Sequence, residues 1–255
     1  MSKIGGAVRE IYRMDEISER DIWLNQLHPL VKLIVTMLYI GITVSFSRYQ
    51  LENLLLIMIY PAVLFILGEL SFVDCLRKLR IVLPFICLVG IFNPIFDRQP
   101  IYMIGTFVVT SGMISMLTLM LKGILCVLAS YLLIATTNIE KICYALRMLH
   151  VPAVLVTQIL LTYRYISLLL TEAGKIWDAY SLRAPGQKGI HFKAWGSLLG
   201  GLLLRSMDRA SALYDSMLLR GFHGEFRYSK REPIQKRDGA YLIFWIVLFI
   251  VIKII

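Results

Sequence analysis

Residues 101–137 read IYMIGTFVVTSGMISMLTLMLKGILCVLASYLLIATT, a run of 37 residues whose one charged side chain is Lys122. A helix crosses the hydrocarbon of a bilayer with about 20 apolar residues, usually between 17 and 25. The run is therefore long for one crossing and short for two, and its division decides on which side everything downstream lies. Working outward, four more apolar runs appear. Leu30–Phe46 carries Lys32 close enough to its end to snorkel. Leu51–Gly68 follows, then Ile81–Phe96, which starts after Arg80 and holds Asn93-Pro94 at its far end. Tyr241–Ile255 is short, but Gly239-Ala240 lets it reach across.

Composition agrees with a lipid solvent. Hydrophobic residues make up 58% of the chain, against about 45–50% in a soluble domain. Charged residues are only 17% and mean hydropathy is +0.70. The excess of basic residues, 27 Lys and Arg against 17 Asp and Glu, then bears on membrane orientation and anionic lipid rather than on nucleic acid. Cys75, Cys87, Cys126 and Cys143 form no CxxC pair and sit in or beside apolar runs, as small hydrophobes in a reducing setting do. Residues 1–29 are polar and of mixed charge, unlike a cleavable signal.

Positive charge resolves the long run. With a single crossing inside 101–137, Lys and Arg between the crossings number 4, 1, 3, 1, 15 and 1, which places 22 on one side and 3 on the other. Two crossings there would set the fifteen opposite the N-terminal arm. The positive-inside rule selects five crossings with the N-terminus in the cytoplasm, and the short loops carry that inference. The expected class is all-α and polytopic: an arm and four membrane helices over 1–137, a cytoplasmic region over 138–238, and a last membrane helix over 239–255. The fourth helix, about Thr110–Thr137, runs about 42 Å at 1.5 Å per residue, so it must tilt or project. Lys122 falls near its middle and must face protein. It is either a functional ionisable group or the donor of an interhelical hydrogen bond to a carbonyl or hydroxyl.

The region 138–238 reads as three helices. Asn138 is a candidate N-cap for a short helix to Leu149, with Glu140 in its first turn. Pro152 starts a second, which runs to Leu182-Arg183 and is stopped by Pro185-Gly186 before a turn over Gly186–Gly189. A third runs from about Phe192 to Arg220, with Gly221 in the place of a C-cap glycine. Ala153–Leu170 is apolar enough to pass for a crossing, but Gln158, Arg164 and Ser167 lie inside it. An arginine at the centre of a membrane helix costs about 2.5–3.5 kcal/mol on insertion scales. This helix is expected to lie against other helices at the inner surface. The third helix alternates Arg205, Asp208, Arg209, Asp215 and Arg220 with leucines and methionines, as a partner-binding or interfacial element does. Both long helices end alike, in Leu182-Arg183-Ala184 and Leu219-Arg220-Gly221. An arginine in a last turn suits the helix dipole, yet its repetition at two tips also suggests a pair of docking points.

Several blocks give the chain a family resemblance: His28-Pro29-Leu30-Val31-Lys32-Leu33, Thr136-Thr137, Ala145-Leu146-Arg147-Met148-Leu149-His150-Val151-Pro152 and Tyr163-Arg164-Tyr165. The most specific runs from Ala194-Trp195-Gly196-Ser197-Leu198-Leu199-Gly200 through Leu204-Arg205-Ser206 to Met217-Leu218-Leu219-Arg220-Gly221-Phe222. In these the chain resembles the transmembrane T component of energy-coupling factor (ECF) transporters, and within it the cobalt-type CbiQ family. The resemblance implies two coupling helices, each ending in an X-Arg-X motif that enters a groove on one of two cytoplasmic ATP-binding subunits. The matching residues are Leu182, Arg183 and Ala184, and Leu219, Arg220 and Gly221. The family's first motif is more often Ala-Arg-Gly; here it is Leu-Arg-Ala before Pro185. The resemblance further implies a membrane-embedded substrate-binding subunit as partner, a bacterial cell membrane as location, and no cofactor on this chain. ATP and Mg would be held by the ATPases, and cobalt by the substrate subunit.

Other classes fit less well. There is no GxxxxGK[ST] loop. His28, His150, His191 and His223 lack metal-ligand spacing. Glu69, Asp74, Glu140, Glu172 and Asp178 are dispersed and form no catalytic pattern for an enzyme acting on lipid. A permease working alone would show inverted repeats, and the halves are not duplicated. The nature of the cargo (cobalt, nickel or a vitamin) is not fixed by residue chemistry, because it depends on the partner.

Overall fold

The computed structural model describes residues 3–20, 22–47, 51–70, 72–96, 100–104, 107–186, 189–224 and 233–254. Arg48 and Arg98, counted in the short loops, lie outside them, as do Gln187 and Lys188 of the Gly186–Gly189 turn. In chain order the elements are α1 (Lys3–Ser18), α2 (Pro29–Ser45), α3 (Leu51–Ile57), α4 (Ile59–Leu67), α5 (Phe72–Phe96), β1 (Pro100–Ile104), β2 (Phe107–Thr110), α6 (Ser111–Thr136), α7 (Ile139–Met148), α8 (Ala153–Arg183), α9 (Phe192–Leu219) and α10 (Lys236–Ile254). They form two compact units, Met1–Glu16 with Ile139–Arg231, and Ile17–Asn138 with Glu232–Ile255. Among the described residues the regular structure is helical, as composition predicts, apart from one antiparallel hairpin of β1 and β2. That hairpin takes up the start of the 101–137 run and leaves one helix, α6, for the rest.

In the second unit, local chemistry sets where each helix starts and stops. Pro29 occupies the first turn of α2, where its missing N–H costs nothing, and His28 caps the turn by accepting the Leu30 N–H on Nδ1 at 3.2 Å. The apolar run Leu51–Gly68 is divided into α3 and α4 next to Met58. Pro61, four residues beyond Ile57, has no N–H to offer the Ile57 carbonyl, so the helix is interrupted one turn upstream of the proline. α5 begins earlier than the apolar run does. Arg77 and Arg80 therefore stand on its first turns, exposed, and not in a loop as the sequence suggests. α5 and α6 pack closely because Gly123 has no side chain: a Cβ there would lie 2.9 Å from Ile86 Cδ1.

Three charged side chains tie helix ends together. Lys32 is buried and not snorkelled, and its Nζ donates to the Thr136 carbonyl at the end of α6, 2.9 Å away. Lys122, in α6, donates to the Val44 carbonyl at 3.2 Å and to the Phe46 carbonyl, both at the end of α2. Each lysine thus supplies donors to last-turn carbonyls that the other helix cannot satisfy itself, and the pairing makes α2 and α6 antiparallel. Asp238, also buried, serves two helix starts. Oδ1 accepts the His28 N–H at 3.0 Å, and Oδ2 accepts the Gln235 N–H at 2.8 Å ahead of α10. A carboxylate is favoured there by both helix dipoles. α10 accordingly runs parallel to α2, and Phe249 meets Tyr39 as Asp238 meets His28. Tyr39, Tyr60, Trp245 and Phe249 stack into the centre of this bundle.

Five helical passes (α2, α3 with α4, α5, α6 and α10) follow one another through the bundle in alternating directions. The bundle has an apolar core and an apolar outside as well, with several polar side chains buried. Met37, Val44, Ile66, Ile81 and Phe85 are exposed, whereas Lys32, Thr36, Thr43, Thr118, Thr136 and Asp238 are buried. The four threonines each return their hydroxyl to the carbonyl four residues back at 2.8 Å. An apolar outside of this extent calls for lipid. By length and apolarity α6 and α8 both suffice for a crossing, with mean hydropathy reaching 2.2 and 1.6. Replacing Lys32 by Met is expected to leave the Thr136 carbonyl unpaired in an apolar setting. That should cost about 1–3 kcal/mol, read as a lower melting temperature of the solubilised protein, with Lys253→Met on the exposed end of α10 unchanged.

Candidate functional site

In the other unit, α7 ends in a Schellman turn. His150 takes a left-handed conformation, φ 63°, the Val151 N–H reaches the Leu146 carbonyl at 3.2 Å, and the His150 N–H reaches that of Arg147 at 3.2 Å. Pro152 then opens α8. The block from Ala145 to Pro152 is therefore a tight helix–helix corner. The N-terminal arm joins this unit through Asp15, whose Oδ1 accepts the Tyr163 hydroxyl at 2.7 Å. Burial, and second the Asp15 carboxylate, push the Tyr163 phenol above its ordinary range.

α8 has 31 residues and α9 has 28, so they are rods of about 46 and 42 Å. They run past each other in opposite directions. Near one end the His191 N–H donates to Tyr180 Oη at 3.2 Å. Further along, Glu172 of α8 faces Arg205 at 3.7 Å and Arg209 at 3.8 Å on α9, with Lys175 at 3.2 Å on its own helix. No residue of α9 is buried, and this exposed charge cluster is one of the points at which the rods meet. The hydrogen bond and charge of Lys175, then Arg209 and Arg205, hold the Glu172 carboxyl below the usual carboxylate range. The like charges Arg205 and Arg209 that look unfavourable on one helix share an acid from the other. Sequence reading places Glu172 only among dispersed acids, because its partners on α9 lie more than thirty residues away.

The two arginine tips stand at opposite ends of this pair. Arg183 is the last residue of α8 and is exposed, and the Leu182 before it is 82% exposed. Arg220 is the C-cap of α9, also exposed, and Leu219 before it is 90% exposed. The tips are closed differently. Gly221 has φ +77°, the Phe222 N–H reaches the Met217 carbonyl at 3.0 Å and the Gly221 N–H that of Leu218 at 2.9 Å, a Schellman turn that needs glycine. Ala184 has φ −124° and ψ 65°, outside the helical region, which is disfavoured for a residue before proline. Pro185 therefore ends the first rod where Gly221 ends the second. Lys122 belongs to the bundle unit and caps α2, apart from these tips. Among the described residues no three His, Cys, Asp or Glu side chains come together to hold a metal ion.

The family model described as "Cobalt transport protein", CbiQ, matches residues 21–231, from the start of the bundle past the α9 tip. The chain belongs to the CbiQ family. Among curated relatives, an uncharacterized protein of Methanocaldococcus jannaschii is 28% identical over 77% of this chain and 72% of its own. The energy-coupling factor transporter transmembrane protein EcfT of Leuconostoc gelidum subsp. gasicomitatum is 27% identical over 91% of this chain and 93% of its own. The nickel permease LarQ of Lactiplantibacillus plantarum is 28% identical over 44% of this chain and 42% of its own. The chain is thus a transporter-family membrane protein.

The rod crossing should titrate. Because the Glu172 carboxyl is depressed in the folded state, its contribution is fully present above the unfolded value, about 4.3, and is lost as pH falls through the lower folded value. Spin labels at positions 176 and 201 should report a constant distance from pH 7 to about pH 5 and a broadened one under stronger acid. Glu172→Gln should give the broad distribution at every pH.

Proposed function

We propose that this chain is the transmembrane coupling subunit of an ATP-driven ECF-type importer and is itself non-catalytic. Two cytoplasmic ATP-binding subunits seat its arginine-tipped rods, and a membrane-embedded subunit holds the cargo. The observation that carries the reading is the pair of tips: two long crossed helices, each ending in an arginine that follows an almost wholly exposed leucine. An apolar plug beside a planar, permanently charged fork suits a groove lined by carboxylates or carbonyls, and lysine would replace it poorly.

The bundle geometry supports the sidedness this role needs. Thr136 ends α6 beside Lys32, and Asp238 starts α10 beside His28, so the chain leaves and re-enters the bundle at the same end. Crossings within 139–235 must then come in pairs. A crossing by α8 would oblige α9 to cross back with Arg205, Asp208, Arg209 and Asp215, each costing about 2.5–3.5 kcal/mol near a helix centre. The alternative is that α8 lies along the surface, only 6% of its most apolar stretch being buried within the protein. The fifteen basic residues of 138–238 then share a side with the arm's four, and the positive-inside rule makes that side the cytoplasm.

In operation, ATP binding draws the two ATPase subunits together and moves the α8 and α9 tips. The Glu172 crossing converts tip motion into a change of angle between rods, which the bundle passes to the cargo-binding subunit. This is coupling between separate sites through a two-state element. Cobalt is the first cargo to test, since the family description names it; the likeness to a nickel permease makes nickel the second, with a vitamin third.

Arg183→Glu with Arg220→Glu is expected to abolish copurification of the ATPase subunits and ATP-dependent metal uptake, while each single variant weakens both. Retention of the ATPases by the double variant would defeat the coupling role. Cysteine placed at 183 or 220 should resist impermeant maleimide in intact cells and react in inverted vesicles.

A further inference from the structure

Beside the α9 tip the two rods enclose a cleft of about 500 Å³ lined by Leu161, Arg164 and Tyr165 of α8 and by Leu213, Ser216, Met217, Arg220, Gly221, Phe222 and His223 at the end of α9. Its size falls within the roughly 300–1,000 Å³ of ligand clefts. Its chemistry is one-sided. Arg164, Arg220 and His223 supply positive or protonatable groups, Ser216 and Tyr165 supply hydroxyls, and no acidic side chain lines the walls. Further along the same rods, Arg205 and Arg209 are matched by Glu172. The guanidinium groups of Arg164 and Arg220 have no carboxylate partner among the described residues. The rest of the wall is apolar, from Leu161, Leu213, Met217 and Phe222, and α8 continues outside the cleft with Val154, Leu155, Ile159 and Ile166 exposed.

We infer that this cleft binds the phosphate headgroup of an anionic phospholipid, with Arg164 and Arg220 gripping the phosphate and the acyl chains leaving along the apolar face of α8. The inference rests on the surface-lying α8 of the proposed function. Paired guanidinium groups are the best side-chain match for a phosphate, and an arginine held at the centre of an apolar surface helix gains from a lipid phosphate what it cannot gain from hydrocarbon. A free phosphate or a nucleotide would satisfy the charge but would leave the exposed apolar surface beside the cleft uncovered. Because Arg220 also caps the α9 tip, bound lipid would steady that tip in the plane of the membrane before an ATPase meets it.

The test reads lipid on the full chain freed of its ATPase subunits, in mixed micelles of phosphatidylcholine and phosphatidylglycerol, by native mass spectrometry, and reads ATPase binding separately by copurification. Arg164 is varied because Arg220 is needed for docking. Wild type should retain phosphatidylglycerol in preference to phosphatidylcholine. Arg164→Gln should lower that retention about tenfold, the loss of one strong charge-assisted contact, with the ATPases still bound. Arg164→Lys should fall between, and Lys175→Gln, on the same helix, should match wild type. Equal retention of the two lipids, or retention unchanged in Arg164→Gln, would overturn the inference while leaving the coupling role standing. Complete displacement of the lipid by millimolar inorganic phosphate would overturn the choice of a lipid over a free anion. Loss of the ATPases from Arg164→Gln with lipid retained would assign the cleft to the ATPase instead.

Discussion

Backbone carbonyls at a helix end have no partner within the helix, and in hydrocarbon they have no water either. The bundle meets that constraint with lysines. Lys32 closes the end of α6 and Lys122 closes the end of α2, so each helix depends on the other for its termination. The same two bonds fix direction and register, fourteen residues apart along both helices. Against α2 and α6, locked antiparallel, α5 packs on α6 through Gly123 and α10 lies parallel to α2 through Asp238. The charged groups cost little, because each is spent where a dipole of the opposite sense ends.

Much of this was legible in residue order. The five apolar runs, the single helix within 101–137, the stop at Pro185 and the glycine turn at Gly221 all follow from local chemistry, and local chemistry is what one chain displays. The hairpin of β1 and β2 was not visible, because apolar residues with a polar interruption look alike in a helix and in a strand over so short a stretch. Pro61 offered a readable signal for the α3–α4 break. Lys32 looked like a snorkelling residue because its acceptor, Thr136, lies 104 positions away.

The candidate site divides the same way. Leu182-Arg183-Ala184 and Leu219-Arg220-Gly221 announce themselves by repetition, and the resemblance gives that repetition a meaning. What joins the rods is not announced. Glu172 reads as an isolated acid, and Arg205 with Arg209 as a mild repulsion, until the helices cross and each explains the other. Arg164 is similar: a liability within an apolar helix, it becomes one wall of a basic cleft once α9 is laid beside it. Residues that look misplaced on their own helix are in these cases the ones that act between helices.

The aspartate at the head of α10 has a bearing on biogenesis. Its acceptor oxygen serves the His28 amide, 210 residues upstream, so α2, the first helix of the bundle to be made, has an unfinished start until α10 arrives. Everything between, including both rods, is synthesised in the interval. The bundle is therefore closed by its final helix, like a barrel whose last stave holds the first in place. A nascent chain stalled short of that point carries an open seam inside the membrane, a mark by which quality-control machinery can tell it from a finished one.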